Sequence, residues 1–235
     1  LFVDPAFVPL LEALKHRLGC VEGFVILGPA GAAANTTLRN AVDYETLIAG
    51  EPDTFDWPEL DENSACSMCY TSGTTGNPKG VVYSHRALVL HTYGCLMPDV
   101  MFHVNAWSIP YGAAVVGAKL VFPGPKMGDG ETLQRLIEGE GVTVTAGVPT
   151  VWLALLAHLN KTGKTVPSLR RVIVGGSACP QAIMEEFERR HGVHVHHAWG
   201  MTEMSPIGTF NSPSADFDSL SREELLILAD QAHAN

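Results

Sequence analysis

Positive charge is scarce in this chain of 235 residues: 15 lysines and arginines stand against 25 aspartates and glutamates, a formal net charge of −10 with histidine neutral. A protein that grips a phosphate backbone needs the opposite balance, because its nonspecific affinity comes from Lys and Arg displacing counterions; a nucleic-acid partner is therefore disfavoured. Long apolar runs are missing too. The longest candidates, around Val21 to Ala34 and Val151 to Leu159, are interrupted by Glu22 and His158 and fall short of the roughly 18 apolar residues of a membrane-spanning helix. Cysteine is sparse and irregular. Cys20, Cys66, Cys69, Cys95 and Cys179 make an odd number, which suits a reducing, cytoplasmic setting better than a disulfide framework. Cys66 and Cys69 have C-x-x-C spacing, but no second pair completes a zinc site, and the two read as small core filling. An initial methionine, a basic leader and a cleavage-like pattern are all lacking, so the start at Leu1 reads as cut from a longer sequence.

What is present, 46% hydrophobic residues at this length, supports a substantial core in one or two domains. Phe7, Leu10, Leu11, Leu14 and Leu18 recur at helical spacing, and Val21 to Leu27 reads as a strand. Gly28 to Asn40 follows as a loop and Val42 to Ile48 as a short helix. Glu51 to Asn63, acidic and proline-bearing, is the best internal boundary. From there strands are expected over Ala65 to Tyr70, Ala118 to Phe122, Val142 to Ala146, Arg171 to Val174 and Val193 to His197. Helices are expected over Ser84 to Leu96, Thr132 to Glu138, Thr150 to Leu159 and Gln181 to Arg190. Alternation of this kind predicts an α/β fold, a mostly parallel sheet with helices on both faces, and ligands at the strand carboxyl ends. The organisation so read is a leading α/β segment over 1–63, a binding core over 64–211 and a helical tail over 212–235, where Ser221 to Glu224 has capping-box spacing.

The most informative run is Tyr70-Thr71-Ser72-Gly73-Thr74-Thr75-Gly76-Asn77-Pro78-Lys79-Gly80. Its glycines permit tight turns that point backbone N–H groups into one concavity, its hydroxyls add donors, and Lys79 adds positive charge: the chemistry of a phosphate-holding loop. The Walker spacing is absent, because Pro78 stands where that loop has glycine and Gly80 where it has Ser or Thr. A flexible linker is the bland alternative. The apolar flanks Ala65 to Tyr70 and Val81 to Tyr83 argue against it, since they string the loop between two buried strands. A second glycine turn, Gly175-Gly176-Ser177-Ala178, follows the strand at Arg171 to Val174. In Ala198-Trp199-Gly200-Met201-Thr202-Glu203 an aromatic ring can stack on a base, Gly200 permits close approach, Thr202 can donate to phosphate, and Glu203 offers an oxygen ligand for Mg²⁺. His191, His194, His196 and His197 form an apparent cluster; His194 and His196 share a strand face, too few ligands to favour a metal site.

The run from Tyr70 to Gly80 resembles, almost position for position, the phosphate loop of the adenylate-forming superfamily of acyl-CoA synthetases, luciferases and peptide-synthetase adenylation domains. Ala198 to Glu203 resembles that family's aromatic-Gly-x-Thr-Glu motif, with Trp199 where tyrosine is commoner. Phe102-His103-Val104-Asn105-Ala106-Trp107 and Ala146-Gly-Val-Pro-Thr-Val-Trp152 are similar to segments of bacterial medium- and long-chain fatty acyl-CoA synthetases. The resemblance implies the large N-terminal domain of the acyl-CoA synthetase/luciferase-like fold. Its parent activity is activation of a carboxylic acid, here a fatty acid, with ATP and Mg²⁺ to an acyl-adenylate, and transfer to CoA. Thr71, Ser72, Gly73, Thr74, Thr75, Gly76 and Lys79 would then hold phosphates. Gly175, Gly176, Ser177, Ala178, His197, Trp199, Gly200 and Met201 would line the nucleotide pocket. Thr202, Glu203 and His103 would serve catalysis, with Glu203 also the Mg²⁺ ligand, while His103, Trp107, Gly147 and Val148 would border the acyl chain. A homodimer is compatible with this reading.

Three family features are not found: the ribose-gripping aspartate expected past Thr209, the hinge, and the small domain with its catalytic lysine. Lys164 is the last lysine of the sequence. The connection between Met97 and Phe102 is also shorter than in the family, as though a loop and strand were deleted. The expectation is therefore a parent ligase of which this chain alone is inactive or impaired. The alternatives are a noncatalytic nucleotide-binding or interaction protein derived from the family, and adenylation of an aryl or other carboxylic acid.

Overall fold

The computed structural model describes residues 1–72, 76–94 and 104–211. The chain divides into two compact units, Leu1–Glu59 and Leu60 onward. In the first, strands β1 (Phe2–Val3), β2 (Phe24–Ile26) and β3 (Ala41–Asp43) pair in parallel in that order, with helices α1 (Val8–Leu14) and α2 (Tyr44–Ile48) between and after them. Val3, Phe24, Ile26 and Leu38 form its core, and Val8 and Leu11 of α1 pack against them. The loop between β2 and β3 is tied down by carboxylates. Asp43 accepts the Gly31 and Ala33 N–H groups at 2.8 and 2.6 Å, and Glu12 accepts the Thr37 N–H at 2.6 Å and the Thr36 hydroxyl at 2.9 Å. Those bonds hold the Glu12 carboxyl below its usual pKa. The helix expected from Val42 starts instead at Tyr44, because Ala41 to Asp43 are drawn into the ladder alongside Phe24 to Ile26.

In the second unit, β4 (Ala65–Thr71) and β5 (Lys79–Ser84) form an antiparallel hairpin, followed by α3 (His85–Gly94) and α4 (Ile109–Val116). A four-stranded sheet comes next, ordered β6 (Val144–Gly147), β7 (Arg171–Val174), β8 (His194–Gly200) and β9 (Ile207–Phe210). The first three are parallel and β9 is antiparallel to β8. Helix α5 (Gly130–Glu140) precedes β6, while α6 (Pro149–Thr162) and α7 (Gln181–Glu186) connect β6 to β7 and β7 to β8. Trp152, Leu155, Leu156 and Leu159 recur at helical spacing on α6, and they bury with Val172, Val174, Val195, Ile183 and Phe187 in the main core. Each such side chain contributes about 1.5–3 kcal/mol on full burial. Asp129 caps α5 by accepting the Thr132 N–H at 3.1 Å, and Gly141 and Gly163 end α5 and α6 with φ of 64° and 68°. α7 runs into a wider turn over Phe187–His191, so the helix expected to Arg190 is not uniform. The opposite face of the sheet carries Trp107 and Ile109, packed with Ala146 and Ile207.

Two expectations fail here. Ala118 to Phe122 is not a strand: it forms no ladder with a neighbour, and Leu120 packs instead against the Trp107 and Ile109 cluster. Nor is the phosphate-type loop strung between buried strands. Met68, Tyr70 and Val82 are 53%, 71% and 52% exposed, and of the β4 and β5 strand residues only Tyr83, at 4%, is buried. Cys66 and Cys69 are half-buried rather than core filling. The Met97 to Phe102 connection and the tail over 212–235 lie outside the described residues.

Candidate nucleotide site

β7 ends at Val174 and turns through Gly175 and Gly176, the latter with φ of +79°, which favours glycine. Beside it, β8 carries Ala198, Trp199 and Gly200 to the same end of the sheet, because β7 and β8 are parallel with Val174 opposite His197. A cavity of about 190 Å³ opens there, lined by Trp107, Gly176, Ala198 to Thr202, Pro206 and Ile207. Its base is tight. A Cβ on Gly200 would stand 1.9 Å from the Pro206 carbonyl oxygen, so the β8–β9 crossing needs glycine at that position. The Trp199 ring is 54% exposed and available to a flat ligand.

Trp107 reaches the site on strained backbone. Ala106, Trp107 and Ser108 have φ of 49°, 51° and 62°, a left-handed run that costs non-glycine residues about 1–2 kcal/mol each. The run lays the indole on the Gly175 turn, where an added Cβ would meet Trp107 Cη2 at 2.5 Å. His91 on α3 secures it from behind. Its Nε2 accepts the Ile207 N–H at 3.1 Å, which requires the neutral ring, so Nδ1–H donates to Ser108 Oγ at 2.9 Å. Burial pushes the His91 pKa down, in keeping with that neutral form.

The hairpin supplies the other half. Thr71 pairs with Lys79 at its loop end, and Lys79 and Ser72 are exposed. Gly76, with φ of +94°, occupies a conformation that β-branched or bulky residues avoid. Tyr83 links this element to the strand-end motif, donating its hydroxyl to the Thr202 carbonyl. Thr202 opens a short turn, Thr202–Met204, on which Glu203 is exposed.

The structure thus brings together Trp107, Gly176, Trp199, Gly200, Met201 and Thr202, with Glu203 on the adjoining turn. Val148 is near them; its Cγ1 lies 3.0 Å from the Cβ position of Gly176. Other expected residues do not join them. His197 does not line the cavity, although alternation puts it on the strand face of Val195 and Trp199, and a Cβ on Gly147 would face Trp152, whose indole N–H donates to the Gly147 carbonyl at 3.2 Å. The smallness of Gly147 makes room for that indole. Ser177 and Ala178 are exposed beyond the turn. Gly73, Thr74, Thr75 and His103 lie outside the described residues. Tyr83, His91, Pro206 and Ile207 were not anticipated. The one signal for Tyr83 was an aromatic in alternation with Lys79 and Val81.

His194 and His196 do share a face, with ring centroids 5.2 Å apart, but His196 Nδ1 is engaged with the Asn211 carbonyl at 3.0 Å. Among the described residues no group of three or more His, Cys, Asp or Glu gathers as a metal site, and no helix is long and apolar enough to cross a membrane.

Residues 9–224 match the model of the AMP-binding enzyme family. This chain belongs to that family. A medium-chain fatty acid–CoA ligase of Ectopseudomonas oleovorans is 48% identical over 96% of the chain and 44% of its own length. A 3-methylmercaptopropionyl-CoA ligase of Ruegeria pomeroyi is 47% identical over 94% of the chain and 43% of its own length. The chain therefore spans less than half of these AMP-binding relatives. Among solved structures, a long-chain fatty acid–CoA ligase from Archaeoglobus fulgidus superposes with a TM-score of 0.72 at 22% identity, covering 93% of this chain and 46% of the other. The fold is accordingly that of the acyl-CoA ligases and luciferases, an α/β architecture with mixed, mostly parallel sheets.

Proposed function

We propose that this AMP-binding chain is the nucleotide-binding part of a fatty acid–CoA ligase that uses ATP, Mg²⁺ and CoA. The observation that carries the reading is the cavity at the β7 and β8 ends, walled by Gly176 and the Trp199–Thr202 motif, with the Lys79 hairpin tied to the same motif through Tyr83. At about 190 Å³ it is smaller than the roughly 300–1,000 Å³ of sites that enclose a drug-sized ligand. It suits one ring system. The phosphates would then extend outside it, where Thr71, Ser72 and Lys79 supply hydroxyl donors and charge. Glu203 suits Mg²⁺, an ion that takes one or two carboxylates and fills its remaining positions with phosphate oxygens and water. That ion would neutralise charge on the leaving pyrophosphate.

In the first half-reaction a carboxylate oxygen bonds to the α-phosphorus of ATP and pyrophosphate departs. In the second, the CoA sulfur bonds to the acyl carbon, AMP departs with the electron pair, and the thiol proton is lost. The residues of this chain would align the reactants and stabilise charge on phosphate oxygens, Thr202 donating to phosphate. Trp107 and Val148 would border the acyl chain. The 48% identity to a medium-chain ligase supports a fatty acid, and the nearly equal 47% identity to a 3-methylmercaptopropionyl-CoA ligase favours a second reading, a short functionalised acid. Cys20, Cys66 and Cys179 are free thiols, which supports a reducing, cytoplasmic setting.

Calorimetric titration with ATP and Mg²⁺ tests the nucleotide reading, and acid-dependent ATP–pyrophosphate exchange tests the chemistry. With the chain joined to a lysine-bearing small domain of the family, exchange with octanoate exceeding that with benzoate and 3-(methylthio)propionate is the expected result, whereas the chain alone should bind ATP with little or no exchange. ATP binding without exchange for any acid in the joined protein would favour a noncatalytic nucleotide binder, and absence of ATP binding would sink the proposal.

A further inference from the structure

Alternation along β5 puts Lys79, Val81 and Tyr83 on one face of the hairpin. Lys79 ends that face at the loop; Tyr83, four residues or about 13 Å further along the strand, is the one side chain of β5 that is buried. Packing accounts for its ring but not for its hydroxyl, which a phenylalanine would lack without loss of apolar area. That hydroxyl donates to the main-chain carbonyl of Thr202, a residue 119 positions away. The same carbonyl accepts the Ser205 N–H at 3.4 Å and closes the single turn Thr202–Met204, which is fastened also by the Met204 N–H donating to the Met201 carbonyl at 2.9 Å and by the Met201 N–H donating to the Pro206 carbonyl at 2.8 Å. Glu203 sits on this turn.

We infer that Tyr83 is a positioning residue: its hydrogen bond to Thr202 fixes the Glu203 turn against the Lys79 hairpin and couples cation binding at Glu203 to phosphate binding at Lys79. The inference rests on the nucleotide reading above and adds to it a residue outside the sequence motifs. The coupling is mechanical. A phosphate group drawn to Lys79 loads β5, and β5 touches the turn through the Tyr83 hydroxyl, so a ligand that bridges the two elements gains from their fixed spacing; by linkage each end strengthens the other. The link does not depend on working pH, since burial first, then the nearby Cys69 and Glu203, push the Tyr83 pKa up to about 12 and keep the hydroxyl a donor.

Tyr83→Phe removes the hydroxyl and keeps the ring. In the wild-type chain, Mg²⁺ should raise ATP affinity measured by calorimetry. In Y83F that gain should shrink by about five- to tenfold, the worth of one hydrogen bond, while ATP affinity without Mg²⁺ changes by less than about twofold. Glu203→Gln should lose the Mg²⁺ gain outright, and Y83F placed on E203Q should remove nothing more, the non-additivity expected of two residues acting through one turn. A purely structural role would instead weaken ATP binding equally with and without Mg²⁺, and that result, or a full Mg²⁺ gain in Y83F, overturns the inference. Hydrogen exchange on the ligand-free chain separates the two readings: amides of 201–205 should exchange at least about fivefold faster in Y83F while α6 is unchanged. A wild-type chain that binds no ATP overturns the nucleotide reading and the coupling with it; unchanged exchange over 201–205 overturns the positioning role whatever ATP does.

Discussion

In the β6–β8 sheet, Val172 and Val174 are enclosed among Trp152, Leu155 and Phe187, whereas among the β4 and β5 strand residues Met68, Tyr70 and Val82 face solvent and Tyr83 alone is buried. One half of the candidate site therefore stands on strand ends that cannot move without disturbing a close-packed core. The other stands on a mostly exposed ladder that meets the strand-end motif through the buried Tyr83 ring and its hydroxyl on the Thr202 carbonyl. Packed interiors resist displacement and exposed hydrogen-bonded elements open locally at low cost. On the proposed nucleotide reading this amounts to a division of labour, with a rigid wall for the ring of a ligand and a less closely packed, adjustable arm for its charged end. The comparison can be tested on both sides.

The sharpest contrast is expected in the core. Phe187→Ala should lower unfolding stability by about 3–5 kcal/mol in urea titration, because the ring is fully buried and packed edge-on against Trp152 at 6.4 Å. A cost below about 1 kcal/mol would show that the sheet is not the stable half. Next comes Gly175→Ala, whose new methyl would stand 2.5 Å from Trp107 Cη2. The indole has to leave, at an overpacking cost of about 1–3 kcal/mol, and tryptophan emission should shift to the red. Unchanged emission would mean that the wall yields after all.

On the arm, Lys79→Met should leave stability within about 0.5 kcal/mol, since the side chain is exposed, yet weaken ATP binding by about tenfold through loss of a charge-assisted contact. Equal losses of stability and affinity would erase the distinction between wall and arm. Acid should act mainly on the wall. Burial lowers the pKa of His191 and His196 below the ordinary 6.5, as it does for His91. Between that lowered native value and 6.5 the unfolded chain binds more protons than the native one. Stability is thus complete above 6.5 and declines as pH falls through the native values. Both ring nitrogens of His191 are buried without a hydrogen-bond partner, and the ring packs on Phe187 at 6.2 Å. His191→Phe should therefore flatten the decline between pH 7.5 and 5, gaining about 1 kcal/mol at the acid end; an unaltered slope would assign the acid sensitivity elsewhere.

The same contrast governs what the sequence could reveal. β7 was legible to the residue, because Val172, Ile173 and Val174 are bounded by Arg171 and Gly175; α6 was legible as an element because its apolar spacing is regular, though it runs from Pro149 to Thr162 rather than from Thr150 to Leu159. β3 was hidden, since Ala41-Val42-Asp43 runs straight into the helix at Tyr44 and only pairing with β2 makes it a strand. β9 was missed for a like reason: Gly208 and Thr209 dilute its pattern, and β8 supplies the ladder. Ala118 to Phe122 had the pattern without the partner. Motifs contiguous in the chain, such as Trp199 to Thr202, could be read directly. Tyr83 and His91 could not, because their contacts cross 119 and 116 positions and leave no periodic trace. Gly147 has a packing partner that the sequence did not reveal, since a Cβ there would stand 3.0 Å from Trp152 Cζ2.

The smallest effect tests the exposed face of the arm. Val82 lies opposite Met68 in the hairpin register, on the face away from Tyr83. With both side chains more than half exposed, Val82→Ala removes little burial and mainly one cross-strand pair, worth about 0.2–1 kcal/mol. The double change with Met68→Ala should recover the same coupling, because neither residue has a buried neighbour to lose on that face. A cost above about 2 kcal/mol would require the face to be covered by something else, and a concentration-dependent cost would identify the cover as a second copy of the chain. In that case the hairpin would be no adjustable arm but an interface, and its mobility relative to the sheet would have to be sought in the dissociated chain.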